Sequence, residues 1–123
     1  MSSYDHEILS KTIYAEARGE PLEGQRWVGH VIMNRAEMRG MSIADVCLQP
    51  SQFECWNNRD DIKIKDRHSY SVAKEVASEV MNRRRDPTGG CDHYNNPDKE
   101  GYPGWTRRVT FVRKIGNHNF YKE

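Results

Sequence analysis

The most strongly patterned stretch of the chain lies between residues 67 and 84. Its apolar residues recur at three- and four-residue spacing and so share one face of a helix, whereas charged residues occupy most of the opposite face. The pattern predicts an amphipathic helix that packs on a core through one side. The apolar face consists of Tyr70, Ala73, Val76, Ala77, Val80 and Met81.

Two further helices are predicted before this one, separated by a Gly-Glu-Pro sequence. Residues 4–18 carry an apolar stripe at four-residue spacing, and Gly19 is a natural stop for this helix. Residues 21–36 follow, because Pro21 suits the first turn of a helix and the apolar residues after it share one side. The core residues predicted from all three helices are Leu9, Ile13, Val28, Val31, Ile32, Val76, Val80 and Met81.

Two shorter features follow the second helix. Ser42, with Asp45 three residues later, resembles a capping box and predicts a short helix through Val46. Residues 49–66 are polar, aromatic and irregular, and we expect them to form a loop over a cleft.

The last third of the chain is predicted to contain little helix. A turn of Asp, Pro, Thr and two Gly at residues 86–90 breaks the helical pattern, and only residues 109–112 form a β-like run. A length of 123 residues is usual for one domain. The sequence therefore predicts a single α+β domain over residues 1–123, mainly helical, with a small irregular or β-containing C-terminal part.

Composition argues against several classes of protein. The formal net charge of +1 gives no basis for a general nucleic-acid binder, and no apolar run approaches the roughly 20 residues of a membrane span. Basic residues cluster late in the chain, from Arg83 to Lys114, as either a solvated face or a surface that favours an anionic polymer. We expect a monomer with no nucleic-acid partner and no integral membrane segment.

One acidic residue is unusual. Glu16 lies beside Ile13 and Ala17 near the end of the first predicted helix. An acid this close to an apolar stripe can be partly desolvated, which raises its pKa and suits it to general acid catalysis near neutral pH. Spacing alone leaves a second interpretation open, and a commoner one: a surface salt bridge with Arg18 or Arg26.

Five separated strings favour the catalytic interpretation. They are IYAEARGEPLEGQ, VGHVIMNR, SQFECW, DPTGGCDHYNNP and IGNHNFY, and they extend over almost the whole chain. In this order they resemble the spore-cortex-lytic and cell-wall hydrolase family of bacteria and their phages, the SleB/CwlJ type. Departures are small: Ala15 stands where many members have Gly, and Trp27 is bulkier than usual at its position.

The resemblance implies a lysozyme-like catalytic domain that cleaves peptidoglycan glycan strands between N-acetylmuramic acid and N-acetylglucosamine. The family's catalytic acid matches Glu16, the first acid of the AEARGE string. Members look like lytic transglycosylases, in which one carboxyl group protonates the leaving oxygen and then accepts the proton of the sugar's 6-hydroxyl. Such a reaction needs no metal and no other cofactor, and we expect neither.

A lysozyme that uses water would need a second carboxylate, roughly 5 to 9 Å from the first. Glu20 and Glu54 are the main candidates, with Glu23 and Asp92 behind them. Glu20 comes one helical turn after Glu16, but its alternative role is to begin the next helix. Glu54 lies in the predicted loop and could reach across a cleft.

Sugar binding should use aromatic rings and amides, because sugars present apolar ring faces and many hydroxyl groups. Phe53 could instead pack under its loop, whereas Tyr94 and Asn95 match the family motif beside the Gly-Gly turn. His118 is expected to form structural hydrogen bonds. The predicted substrate-binding residues are Gln52, Phe53, Trp56, Tyr94 and Asn95.

Three alternatives to glycan cleavage are less consistent with the sequence. A metal-dependent amidase or peptidase would need a recognised ligand spacing, which Cys91, His93 and His118 do not provide. A cysteine peptidase would need family-specific context around Cys55 or Cys91. A wall-binding module without activity would have no use for the matching acid in the AEARGE string.

The N-terminal residues and the cysteines suggest where the protein is made. The string MSSYDHEILSK is acidic where a secretory signal would be basic and then apolar. Three cysteines without repeated spacing predict free thiols in a reducing compartment. We expect a protein of its producer's cytoplasm that acts on the wall after release. For a phage endolysin, this means the host cytoplasm and then the periplasm or wall.

Overall fold

The computed structural model describes residues 2–123, within which lie five α-helices and a three-stranded sheet. None of the helices in this range could span a membrane. The mainly helical α+β architecture predicted from the sequence is confirmed. The helices are α1 (Ser3–Ala17), α2 (Leu22–Arg39), α3 (Ile43–Leu48), α4 (Arg67–Met81) and α5 (Pro97–Glu100), and the strands are β1 (His93–Asn95), β2 (Thr110–Ile115) and β3 (His118–Lys122).

Helix α1 is the central helix, because α2, α3 and α4 all pack against it. Even polar residues such as Ser10 and Thr12 are buried on it. Ser2 and Asp5 form a capping box: the Ser2 hydroxyl accepts from the Asp5 amide at 3.1 Å, and the Asp5 carboxylate accepts from the Ser2 amide at 3.3 Å. The same carboxylate accepts from the amide of Ala44 at 2.9 Å, which ties α3 to the start of α1.

Helices α2 and α4 approach each other closely at a glycine. A Cβ added at Gly29 would lie 2.9 Å from Cγ2 of Val80. Helix α2 starts after Pro21 and continues beyond the predicted residue 36, because its C-cap is Gly40, in the left-handed conformation at φ 62°. Of the predicted core, Leu9, Ile13, Val28, Val31, Ile32, Val76 and Val80 are fully buried, and Met81 is partly buried.

The segment over residues 49–66 is irregular, as predicted, apart from one turn of 3-10 helix at Glu54–Trp56. Helix α1 holds this segment at two places. Trp56 donates from Nε1 to the hydroxyl of Thr12 at 2.9 Å. The hydroxyl of Tyr14 accepts from the backbone amides of Lys65 and Asp66 at 2.9 and 3.0 Å. The loop is thereby fixed against α1, near the end that carries Glu16.

The C-terminal third forms an antiparallel sheet with strand order β1-β3-β2. Only β2 was predicted, and it extends beyond the expected residues 109–112. Tyr94 pairs with Phe120, and His93 pairs with Tyr121. Phe120 is fully buried. Because side chains alternate along a strand, Tyr94 faces the helices and His93 faces away from them.

Candidate active site

The carboxyl group of Glu16 is half-buried in the last turn of α1, where the Tyr94 hydroxyl donates a hydrogen bond to it. Burial is the main cause that raises the pKa of Glu16, and the charges of Glu100 and Glu54 add to it. The hydrogen bond from Tyr94 and the neighbouring Cys55 thiol act in the opposite direction. Glu16 therefore keeps its proton to a higher pH than an ordinary carboxyl group, as a general acid requires.

Tyr94 is the predicted binding residue that the fold brings to Glu16. Its ring centroid lies 5.1 Å from that of His118 and 5.9 Å from that of Phe120, in the layer between sheet and helices. Burial raises the pKa of Tyr94 well above its usual value, and the charge of Glu16 adds to this effect, whereas the Arg35 guanidinium opposes it. Tyr94 is therefore a hydroxyl donor throughout the neutral range.

Glu20, a candidate second carboxylate, links two turns. Its Oε1 accepts from the backbone amide of Asn117 and its Oε2 from the side-chain amide, both at 2.9 Å. Burial raises the pKa of Glu20, but the bonds from Asn117 outweigh this effect, so the pKa is lowered overall. Both carboxylate oxygens of Glu20 accept hydrogen bonds, which favours a structural role.

His118 was expected to form structural hydrogen bonds. Its Nδ1 lies 3.9 Å from Glu20 and has no hydrogen-bond partner among residues 2–123.

Two other carboxylates act on Glu16 through their charge. Glu54 is exposed in the loop, as predicted. Glu100 was missed: it lies at the end of α5 and accepts from the amide of Asn96 at 3.0 Å. A helix of four residues is too short to show periodicity, so the only signal was the Asn-Pro start, which suits a helix N-terminus.

Phe53 and Trp56 were expected to contact sugar but are buried, at 3% and 7% exposure. The Arg35 guanidinium lies over the Phe53 ring, 5.5 Å from its centroid. Neither ring presents a free face for stacking, so sugar contact by these two residues stays a prediction that this burial does not support. The sequence pattern of a loop does not show which of its side chains point inward. Gln52 is exposed, and its Oε1 accepts from Arg39 at 3.0 Å.

Asn95 was also expected to bind sugar, and it is fully buried instead. Its Nδ2 donates to the carbonyl of Gly101 at 2.9 Å, and its Oδ1 accepts from the Tyr121 hydroxyl at 3.0 Å. Gly101 directly follows Glu100. Asn95 therefore fixes the loop that carries Glu100 and does not itself reach the surface.

The cysteines are free thiols. Cys47 and Cys91 are buried, and Cys55 is half-buried beside Glu16, a neighbour that sequence reasoning did not anticipate. Burial, together with the charge of Glu16, raises the pKa of Cys55 to about 12. A catalytic cysteine needs a lowered thiol pKa, so this environment is the opposite of one that activates a nucleophile.

A mainly helical domain with a half-buried acid in the last turn of α1 matches a known family of proteins. The chain belongs to the cell wall hydrolase family, whose model matches residues 19–121. Spore cortex-lytic enzymes of Bacillus subtilis and Halalkalibacterium halodurans are 32% and 30% identical over 124 residues. Those alignments cover 97% of this chain but 38% and 35% of the two relatives, so the chain spans well under half of their length.

Two solved structures resemble the whole domain. The catalytic domain of the germination-specific lytic transglycosylase SleB from Bacillus anthracis superposes with a TM-score of 0.77 at 28% identity, over 99% of this chain and 97% of that one. The catalytic domain of the Bacillus cereus SleB protein gives a TM-score of 0.76 at 28% identity, over 98% and 91%. The predicted lysozyme-like fold is confirmed. The predicted membership of the cell wall hydrolase family is likewise confirmed.

Proposed function

We propose that this chain cleaves peptidoglycan between N-acetylmuramic acid and N-acetylglucosamine as a lytic transglycosylase, with Glu16 as acid and then base. The observation that carries the proposal is the half-buried Glu16 carboxyl group, whose pKa is raised and which Tyr94 holds by a hydrogen bond. Similarity to a germination-specific lytic transglycosylase supports the same chemistry.

The reaction begins with a proton on Glu16. The carboxyl group gives this proton to the glycosidic oxygen, and the bond from that oxygen to the anomeric carbon of muramic acid breaks. The 6-hydroxyl of the same sugar then attacks the anomeric carbon and loses its proton to the Glu16 carboxylate, which restores the acid. The product is a 1,6-anhydro-muramoyl end, and no water is consumed.

The central test is Glu16→Gln. The substituted side chain keeps the shape of glutamate and a good helix propensity, but it can neither give nor take the proton. Cleavage of purified peptidoglycan should fall by about 10² to 10⁴-fold, while circular dichroism and wall binding remain near native. Glu23→Gln is the matched control, since Glu23 is an exposed glutamate in the first turn of α2. A Glu16→Gln protein that clears walls at the native rate would refute the assignment.

Mass spectrometry of the released fragments separates two versions of the chemistry. Anhydro ends mean that the 6-hydroxyl attacked, and then Glu54→Gln and Glu100→Gln should each cost much less than Glu16→Gln. Reducing ends mean that water attacked, as in a lysozyme, and one of these two nearby carboxylates must then be essential.

Metal and thiol mechanisms have a separate test. Chelator should leave glycan cleavage intact, because no proposed step uses a metal. Cys55→Ser should also stay active, since a thiol with a pKa near 12 is not the nucleophile. Cleavage of stem peptides that chelator abolishes and added zinc restores would favour the amidase alternative, and loss of stem-peptide cleavage in Cys55→Ser would favour the peptidase.

We also propose that the domain works on the peptidoglycan polymer as a monomer, without nucleic acid. Few large apolar side chains are exposed among residues 2–123, namely those of Tyr4, Leu22, Met38, Tyr102 and Phe111. A few exposed side chains of this kind are normal on a monomer surface. Size-exclusion chromatography coupled to light scattering tests the oligomeric state.

A further inference from the structure

We propose that Asp92, His93 and Glu123 form a binding site for a divalent transition-metal ion, with zinc as the best-fitting ion. One ligand atom from each residue can be chosen such that all three atoms lie within 4.8 Å of one another. The cluster lies where β1 begins and β3 has just ended. It is independent of the glycan chemistry proposed for Glu16.

Strand pairing brings the three residues together. His93 is opposite Tyr121 in the register of β1 and β3, so the residue before β1 lies beside the residues after Tyr121. The amide of Glu123 donates to Asp92 Oδ1 at 3.2 Å, and His93 Nδ1 lies 2.8 Å from the same oxygen. The two strands therefore hold the cluster together, although His93 and Glu123 are 30 positions apart in the sequence.

The ligand types select the ion. One imidazole with two carboxylates suits zinc and its first-row neighbours, whereas magnesium and calcium prefer oxygen ligands alone. With bonds of about 2.1 Å, two atoms on one zinc ion lie no more than about 4.2 Å apart. The ligand atoms lie within 4.8 Å of one another, so binding requires the farthest pair to move closer by a few tenths of an ångström. The exposed side chain of Glu123 can make this movement.

Burial makes a cation favourable at Asp92. The side chain of Asp92 is only 4% exposed and that of His93 is 27% exposed, and a buried carboxylate is costly unless it is compensated. Arg35 donates to the carbonyl of Asp92 at 2.8 Å and places one positive charge nearby. We therefore expect binding weaker than in zinc-finger sites.

The position of the cluster indicates a structural role. His93 and Tyr94 are consecutive residues of β1 and point to opposite faces of the sheet. An ion bound by His93 would thus lie away from Glu16 and join the start of β1 to the end of β3. It would stabilise the strand that carries Tyr94 without touching substrate.

The test uses protein stripped of metal by chelator and then titrated with zinc chloride. Calorimetry should show one saturable site, and the melting temperature should rise with zinc concentration. His93→Gln and Glu123→Gln should each weaken binding at least about tenfold, because loss of even an outer partner commonly costs that much. His68→Gln is the matched control: His68 is an exposed histidine on α4, and its loss should leave affinity unchanged.

Cobalt provides a second readout, since its visible absorption changes with coordination number and ligands when it leaves water for a protein site. The Trp105 ring lies 5.2 Å from the His93 ring, so cobalt bound there should also quench tryptophan fluorescence. Absence of saturable zinc binding overturns the proposal. So does native affinity in Glu123→Gln, an exposed position whose change leaves the fold intact, or equal loss in His68→Gln.

Discussion

The charge on a single carboxyl group decides whether this site can act as an acid. Burial favours the protonated form of Glu16 and raises its pKa. The hydrogen bond from the Tyr94 hydroxyl stabilises the ionised form and lowers the pKa. The hydrogen bond thus limits how far the pKa of Glu16 rises, and it also fixes the direction of the carboxyl group. Removal of Tyr94's hydroxyl should change both properties at once.

Tyr94→Phe should therefore slow cleavage and move its pH dependence. A hydrogen bond to a charged group contributes about 1.5–3 kcal/mol, so we expect kcat/KM to fall about ten- to a hundredfold. Without the donor the pKa of Glu16 rises further, and the alkaline limb of the pH profile should shift to higher pH. Tyr102→Phe, at an exposed tyrosine, is the control. If the alkaline limb of the pH profile did not shift in Tyr94→Phe, Tyr94 would not set the charge state of Glu16.

Residues of the site differed in how far the sequence could predict them. Glu16 and Tyr94 lie in strings that resemble a known family, and the fold brings them together. Phe53 and Asn95 lie in similar strings, but their side chains turn inward. The sequence identifies residue types that can bind a sugar. Whether their side chains are buried depends on tertiary packing, which a local sequence pattern does not show. Substrate contact by any of these residues stays a prediction.

At the scale of elements, the contact between α2 and α4 depends on the missing side chain of Gly29. Alanine there would gain about 1 kcal/mol of helix propensity. Its Cβ would meet Val80 Cγ2 at 2.9 Å and Ile13 Cδ1 at 3.3 Å, and overpacking of this kind costs about 1–3 kcal/mol. Gly29→Ala should therefore lower the free energy of unfolding by up to about 2 kcal/mol.

A control for this prediction lies in the same helix. A Cβ at Gly24 would meet Ile115 Cγ2 at 3.4 Å, an ordinary contact. Gly24→Ala should thus be neutral or stabilising by up to about 1 kcal/mol, the propensity gain alone. Urea denaturation of both variants gives the comparison. If the two changes had equal effects, the close approach of α2 and α4 would be disproved.

Helices α1 to α4 were predictable because each shows its own pattern of apolar or capping residues. Helix α4 shows a full apolar stripe, and its observed bounds differ from the predicted ones mainly at the C-terminal end. Strand β1 has only three residues, too few for an alternating pattern to be recognised. Strand β3 is buried at four consecutive positions, so it has no polar face to alternate with an apolar one. Their existence follows from pairing between distant segments.

At the scale of the whole molecule, stability in acid depends on a buried histidine. His30 is 7% exposed, and Arg83 Nη1 donates to its Nδ1 at 3.2 Å, so the ring is neutral. Burial and the charge of Arg83 lower the pKa of His30 from 6.5 to about 4, against weaker opposing effects of Asp86 and Glu79. The unfolded chain therefore binds this proton near pH 6.5 and the folded chain only near pH 4, so stability falls as pH drops through that interval.

The loss attributable to His30 is no more than about 3.5 kcal/mol, at 1.36 kcal/mol per pKa unit. His30→Gln keeps an acceptor for Arg83 but has no proton to gain, so its unfolding free energy should decline less between pH 6.5 and 4. Urea unfolding at several pH values measures the difference. His68→Gln, at an exposed histidine, should keep the native slope. Parallel pH curves for native protein and His30→Gln would contradict the prediction.

The hydrogen bond between Glu16 and Tyr94 joins residues 78 positions apart, and β1, which carries Tyr94, pairs in the sheet with β3 alone. A ribosome that has released α1 to α4 has made Glu16 but not Tyr94. We expect this hydrogen bond to form only after β3 has been synthesised and has docked beside β1. Translation products that stop before β3 would then carry Glu16 in an unfinished site.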